Sequence, residues 1–77
     1  MITSGQIKAA RALLGMTATE LAEKSGVAYT TIVRIESSES VPSGQVKTLD
    51  SVQKTLEKAG IEFIGTPESG AGVRWKT

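Results

Sequence analysis

The side chains that carry most enzyme chemistry are scarce in this 77-residue chain. It has no histidine and no cysteine. That removes thiolate–imidazole pairs, the ordinary general base near neutral pH, disulfides and most zinc or haem ligation. Among the eight carboxylates, Glu20, Glu23, Glu36 and Asp50 are spaced as charges on helix surfaces. No serine-rich stretch has a base partner, and there is neither a Gly-x-Gly-x-x-Gly loop nor a Walker A phosphate loop. An enzyme is the weakest reading, and no metal or cofactor is expected.

The spacing that stands out lies between Ala18 and Glu36. Ala22 is small enough to let two helices cross closely, and Gly26, four residues on, suits a tight turn. Val27, Ile32 and Ile35 can plug a second helix onto the first. By spacing alone this fits either a helix-turn-helix or an ordinary helical hairpin in a bundle.

Two helix starts lead into this region. Thr3-Ser4-Gly5-Gln6 is a capping box: Thr3 can accept from the N–H three residues on while Gln6 reaches back. Ile7, Ala10, Leu13 and Leu14 then follow at helical spacing and are expected inward, with Gly15 as the stop. Thr17-Ala18-Thr19-Glu20 repeats the box and opens a short helix, with Leu21 and Ala22 inward and Gly26 as its stop. In the next segment Thr30, Thr31, Ile32, Val33 and Ile35 are β-branched and favour a strand by propensity. A helix is nevertheless expected, because Val27, Ile32 and Ile35 fall on one helical face opposite Leu21 and Ala22.

Residues 37–44 read as a loop. A longer helix is expected from about Gln45 to Ala59, with Val46, Leu49, Val52 and Leu56 inward and Gly60 as its stop. Ile61-Glu62-Phe63-Ile64 and Val73-Arg74-Trp75-Lys76 alternate like strands, joined by the turn-rich residues 65–72. They read as a hairpin or as two strands pairing across a dimer. The expected fold is therefore mainly α: four helices over residues 1–60, then a two-stranded β tail over residues 61–77.

Length and charge limit what the domain can do. At this size folding buries only about 60% of the unfolded surface, so a partner chain is the expected source of extra stability. Nine Lys and Arg against eight Asp and Glu leave a net charge of +1, which does not advertise a polyanion partner. A composition 39% hydrophobic and 22% charged is that of a globular chain. The longest run without a strongly polar side chain, residues 12–16, is far short of the ~20 needed to span a bilayer. Lys8 and Arg11 also interrupt the N-terminus, unlike a signal segment. A cytoplasmic location without a membrane partner is expected.

From Ile7 to Ile35 the chain resembles the phage repressor/Cro-like, or XRE-type, helix-turn-helix regulators. The likeness is carried by residues 7–17, by Glu20-Leu21-Ala22, by Ser25-Gly26-Val27 and by residues 31–36. The ending, residues 59–64 with Gly72-Val73-Arg74, is similar to a small subgroup with a β tail. The resemblance implies a regulator that binds operator DNA as a dimer, with its third helix in the major groove. Base contacts would come from Ala28, Tyr29, Thr30 and Arg34, the last able to reach a guanine edge in bidentate fashion. Phosphate contacts would come from Thr17, Thr19, Lys8, Ser38, Ser43 and Lys47, with Ser40 a further candidate. Arg11 and Glu36 match a family ion pair that locks the first helix to the end of the third.

Two positions depart from the family pattern: Ala28 cannot cap the third helix, and Ala18 stands where relatives often carry Gln. Few lysines on the binding face imply a shallow salt dependence. The tail is the expected dimerisation element, with Ile61, Phe63, Ile64, Val73 and Trp75 at the interface. Two copies would then read a near-palindromic site. The rival reading is a protein-binding adaptor or antitoxin-type module with weak DNA affinity, which the near-neutral charge, Ala28 and Ala18 favour slightly. At this length the chain reads as a complete minimal regulator without a sensor domain, and no small-molecule effector is expected.

Overall fold

The structure, a computed structural model, describes residues 2–38 and 46–76. Four helices precede a β-hairpin: α1 (Ser4–Leu14), α2 (Ala18–Ser25), α3 (Tyr29–Glu36), α4 (Val46–Lys58), β1 (Ile61–Thr66) and β2 (Ser69–Trp75). The mainly helical fold with a β tail is as expected from the sequence. Expected positions 43–45, including Ser43, and Ser40 lie outside the described residues.

Both capping boxes form. The Thr3 hydroxyl accepts from Gln6 N at 3.1 Å, and Gln6 Oε1 accepts from Thr3 N at 2.7 Å. Thr17 and Glu20 repeat the exchange at 3.0 and 2.9 Å. Each of these helices ends on a left-handed glycine, Gly15 at φ 64° and Gly26 at φ 74°. A side chain at either position would be strained by the backbone conformation alone.

One core joins helices and hairpin. Ile7, Ala10, Leu21, Ile32, Val52, Leu56 and Ile61 are fully buried. Leu14, Val27, Phe63 and Val73 pack against them in part. Tertiary packing therefore outweighs β propensity in α3, as the shared face of Ile32 and Ile35 requires.

Two residues expected inward are not. Leu13 is 42% exposed and Val46 71% exposed. Ile7, Ala10 and Leu14 already fill the buried stripe of α1, and Leu49, Val52 and Leu56 fill that of α4. The neighbouring apolar residue in each case falls beyond the stripe.

The strands are also longer than expected. The pairing runs antiparallel from Ile61↔Trp75 through Ile64↔Gly72 to Thr66↔Ser69. It takes in most of the glycine-rich stretch assigned to the turn and leaves Pro67-Glu68 as the tip. Gly65, at φ 75°, absorbs the register shift, and a Cβ there would be driven into the Gly70 carbonyl. Gln6 ties the hairpin to α1, because its Nε2 donates to Ile64 O at 3.1 Å and Gly72 O at 2.9 Å.

Candidate nucleic-acid interface

A three-residue turn, Gly26-Val27-Ala28, separates α2 from α3. Gly26 N and Val27 N both donate to Ala22 O, at 3.0 and 3.2 Å, so the end of α2 and the turn share one acceptor. Ala22, only 9% exposed, lies among the buried residues beside α3. A longer side chain there would wedge the helices apart.

The inner face of α3 is held by Ile32, Ile35 and Glu36, all buried. Two groups from α1 fix its C-terminal end. Ser4 Oγ, itself buried, donates to Ile35 O at 2.6 Å. Arg11 makes a bidentate pair with Glu36, Nε to Oε2 and Nη2 to Oε1, both at 2.7 Å. Its Nη1 also donates to Met16 O at 3.0 Å, which orients the guanidinium further. The hydrogen bond to Glu36 raises the Arg11 pKa above its ordinary value, against a smaller opposing effect of burial.

The N-terminal end of α3 has no side-chain cap, although Thr31 N and Ile32 N both donate to Ala28 O at 3.0 Å. Ala28 occupies the N-cap at φ −58°, ψ 142°, with no side-chain hydrogen bond. At the other end Ser37 Oγ donates to Val33 O at 2.7 Å.

Tyr29, Thr30, Val33, Arg34 and Ser37 form the exposed outer face of α3, opposite the buried stripe. Ala28 is exposed at its leading edge. The four residues expected to meet bases are thus brought together at one solvent-facing surface. Thr17 caps α2 and Thr19 follows in its first turn, both exposed. Glu20 shares that turn, and hydrogen bonds from Thr17 hold its carboxyl below the usual range. Lys8 and Lys47 stand exposed on α1 and α4, and Ser38 is half-buried just after α3.

The expected interface residues of the tail differ in availability. Ile61 is 0% exposed within the chain's own core, so its side chain cannot contact a partner. Strand alternation marked its face correctly but could not tell a monomer core from an interface. Phe63, Ile64 and Val73 are half-buried, and Trp75 is 50% exposed. Arg74 pairs with Glu62 across the strands at 2.9 Å.

Three residues that shape this region or lie on its surface leave little trace in the sequence. Ser4 was hidden because its partner is 31 residues away. The link from Gln6 to the hairpin was masked by its capping role. Val33, 43% exposed, reads in sequence as one more β-branched apolar residue, and its offset from Ile32 and Ile35 is the signal that marks it as outward.

Among the described residues no group of side chains could hold a metal ion, and no helix is long and apolar enough to cross a membrane. None of the curated proteins compared with the chain matches it. A family model described as helix-turn-helix matches residues 7–46, more than half of its length. That span begins in α1 and takes in α2, the turn and α3 with its outward face, and on this match the chain belongs to the XRE-type helix-turn-helix family of DNA-binding regulators.

Proposed function

We propose that the protein acts as a homodimeric repressor that reads a near-palindromic operator by inserting α3 of each copy into the major groove. The observation that carries this reading is the division of α3 into two faces. Ile32, Ile35 and Glu36 are committed to the fold, while Ala28, Tyr29, Thr30, Val33 and Arg34 are presented to solvent. A helix buried on one side and polar and contoured on the other suits a groove about 12 Å wide. Arg34 reads a guanine edge, and Thr17, Thr19, Lys8, Ser38 and Lys47 meet phosphates from the helices around it. The net charge of +1 keeps non-specific affinity low and the salt dependence shallow.

The tail joins the two copies in this reading. Lys76 N donates to Gly60 O at 2.8 Å, so alternation along the ladder makes Glu62↔Arg74 a hydrogen-bonded pair. The peptide groups of Phe63, Val73 and Trp75 are then directed to the outer edges. In a two-stranded sheet each outer edge lacks a further strand, and the edge beside the half-exposed Trp75 is a surface that a second copy can cover. Two copies place their α3 helices in half-sites about 34–36 Å apart, and a bound dimer blocks access to the DNA beneath it.

The test is selection of bound duplexes from a random pool, with sedimentation of the protein alone and on the selected duplex. A two-fold repeated motif bound by two copies is expected. No enriched motif, together with capture of a protein partner through the outer face of α3, would replace this reading with the adaptor one.

A further inference from the structure

Val33 is the one apolar side chain on the outer face of α3 that is neither a helix cap nor an aromatic hydroxyl carrier, and it is 43% exposed. The core does not need it: Ile32 and Ile35 are at 0% and 1% exposure on the opposite side. Its own carbonyl accepts from Ser37 Oγ, so the backbone at this position is held while the side chain projects outward. A β-branched residue in a helix has one strongly preferred χ1 rotamer, which makes its two methyl groups a rigid, pre-oriented apolar surface. Thr30, one turn earlier on the same face, adds a third methyl, and Ala28 adds a fourth at the leading edge.

In a major groove the only apolar group on a base edge is the 5-methyl of a pyrimidine. Resting on the DNA-binding reading above, we infer that Val33 is a specificity-determining residue that recognises a pyrimidine 5-methyl group, with Thr30 beside it. The chemistry is the same whether thymine or 5-methylcytosine supplies the methyl. The selected half-site should then contain a 5-methylpyrimidine at the Val33 contact. Cytosine methylation at that pair becomes something the protein senses without any added domain.

The test uses the full chain and the duplex selected from the random pool. Each thymine of a half-site is replaced in turn by uracil, by cytosine or by 5-methylcytosine, the last two with guanine opposite. At one thymine, uracil should weaken binding about fourfold, the worth of one buried methyl group. 5-Methylcytosine should bind tighter than cytosine at the same pair by a similar factor. Val33→Ala is the paired variant, and alanine's higher helix propensity keeps an exposed helix position folded. It should bring both ratios to about one while leaving the other base preferences in place. Equal affinity for thymine and uracil at every position would overturn the assignment alone, and so would a methyl preference that survives in Val33→Ala. Enrichment of no duplex at all would overturn the DNA-binding reading and this inference with it.

Discussion

Arg11 and Glu36, 25 residues apart in sequence, close a bidentate pair with both N–O distances at 2.7 Å, and Glu36 is only 8% exposed. The pair ties the first helix to the last turn of α3, the helix whose outer face carries Tyr29, Thr30, Val33 and Arg34. Arg11→Ala leaves the Glu36 carboxylate without its partner in a mostly buried place. A cost of about 2–4 kcal/mol is expected, allowing for the partial exposure of the guanidinium. Lys8→Ala, at an exposed site on the same helix, should cost under about 0.5 kcal/mol. Thermal melts should separate the two variants by about 10 °C or more. Equal melting temperatures would refute the role given to the pair.

Acid should weaken the fold partly through Glu20. Its carboxyl is held below the ordinary range by the hydrogen bonds with Thr17, so ionisation favours the folded state. That contribution is complete above the unfolded value, about 4.3, and is lost as the pH falls through the lower folded value. Glu62, lowered by Arg74, acts in the same direction. Glu20→Gln keeps an N3 side chain able to complete the capping box but cannot titrate. Melting temperatures from pH 7 to pH 3 should fall more steeply for the wild type than for this variant. Parallel curves would contradict the assignment.

Ala28→Ser should stabilise the protein. The N-cap backbone at φ −58°, ψ 142° is already extended, and only the side-chain acceptor is missing. Supplying it is worth about 1 kcal/mol, read as a rise in the denaturant midpoint at unchanged slope. An unchanged midpoint would mean that the first turn of α3 is satisfied in another way.

At the hairpin, Gly65 and Gly70 should respond differently although both have positive φ. Gly65→Ala drives its Cβ into the Gly70 backbone, whereas nothing lies within 4 Å of a Cβ at Gly70. Gly70→Asn should therefore fold almost as well as the wild type, since Asn tolerates the left-handed region. Gly65→Ala should lose protection of the β1–β2 amides in hydrogen exchange. Similar exchange in both variants would contradict the packing described at the tip.

The helices were legible in the sequence because their signals are local. Capping boxes at Thr3 and Thr17 and glycine stops at Gly15 and Gly26 act within four residues. Even α3, with five β-branched residues, could be assigned from the face shared by Val27, Ile32 and Ile35. The limits of the buried stripes were not legible, because periodicity ranks Leu13 with Leu14 and Val46 with Leu49. Only the finished packing separates them. Residues 65–72 look like turn chemistry, yet glycines also serve a ladder that Gln6 closes from α1. Long-range partners such as Ser4 and Ile35 leave no trace in local pattern.

In the proposed function the outer face of α3 reads base pairs. The most direct test is a base-resolution affinity profile of the selected duplex for the wild type and for Arg34→Ala. Arg34→Ala should lose about 1–3 kcal/mol of discrimination at one guanine per half-site and keep its preferences elsewhere. A uniform loss at all positions, or a profile unchanged from the wild type, would contradict that reading.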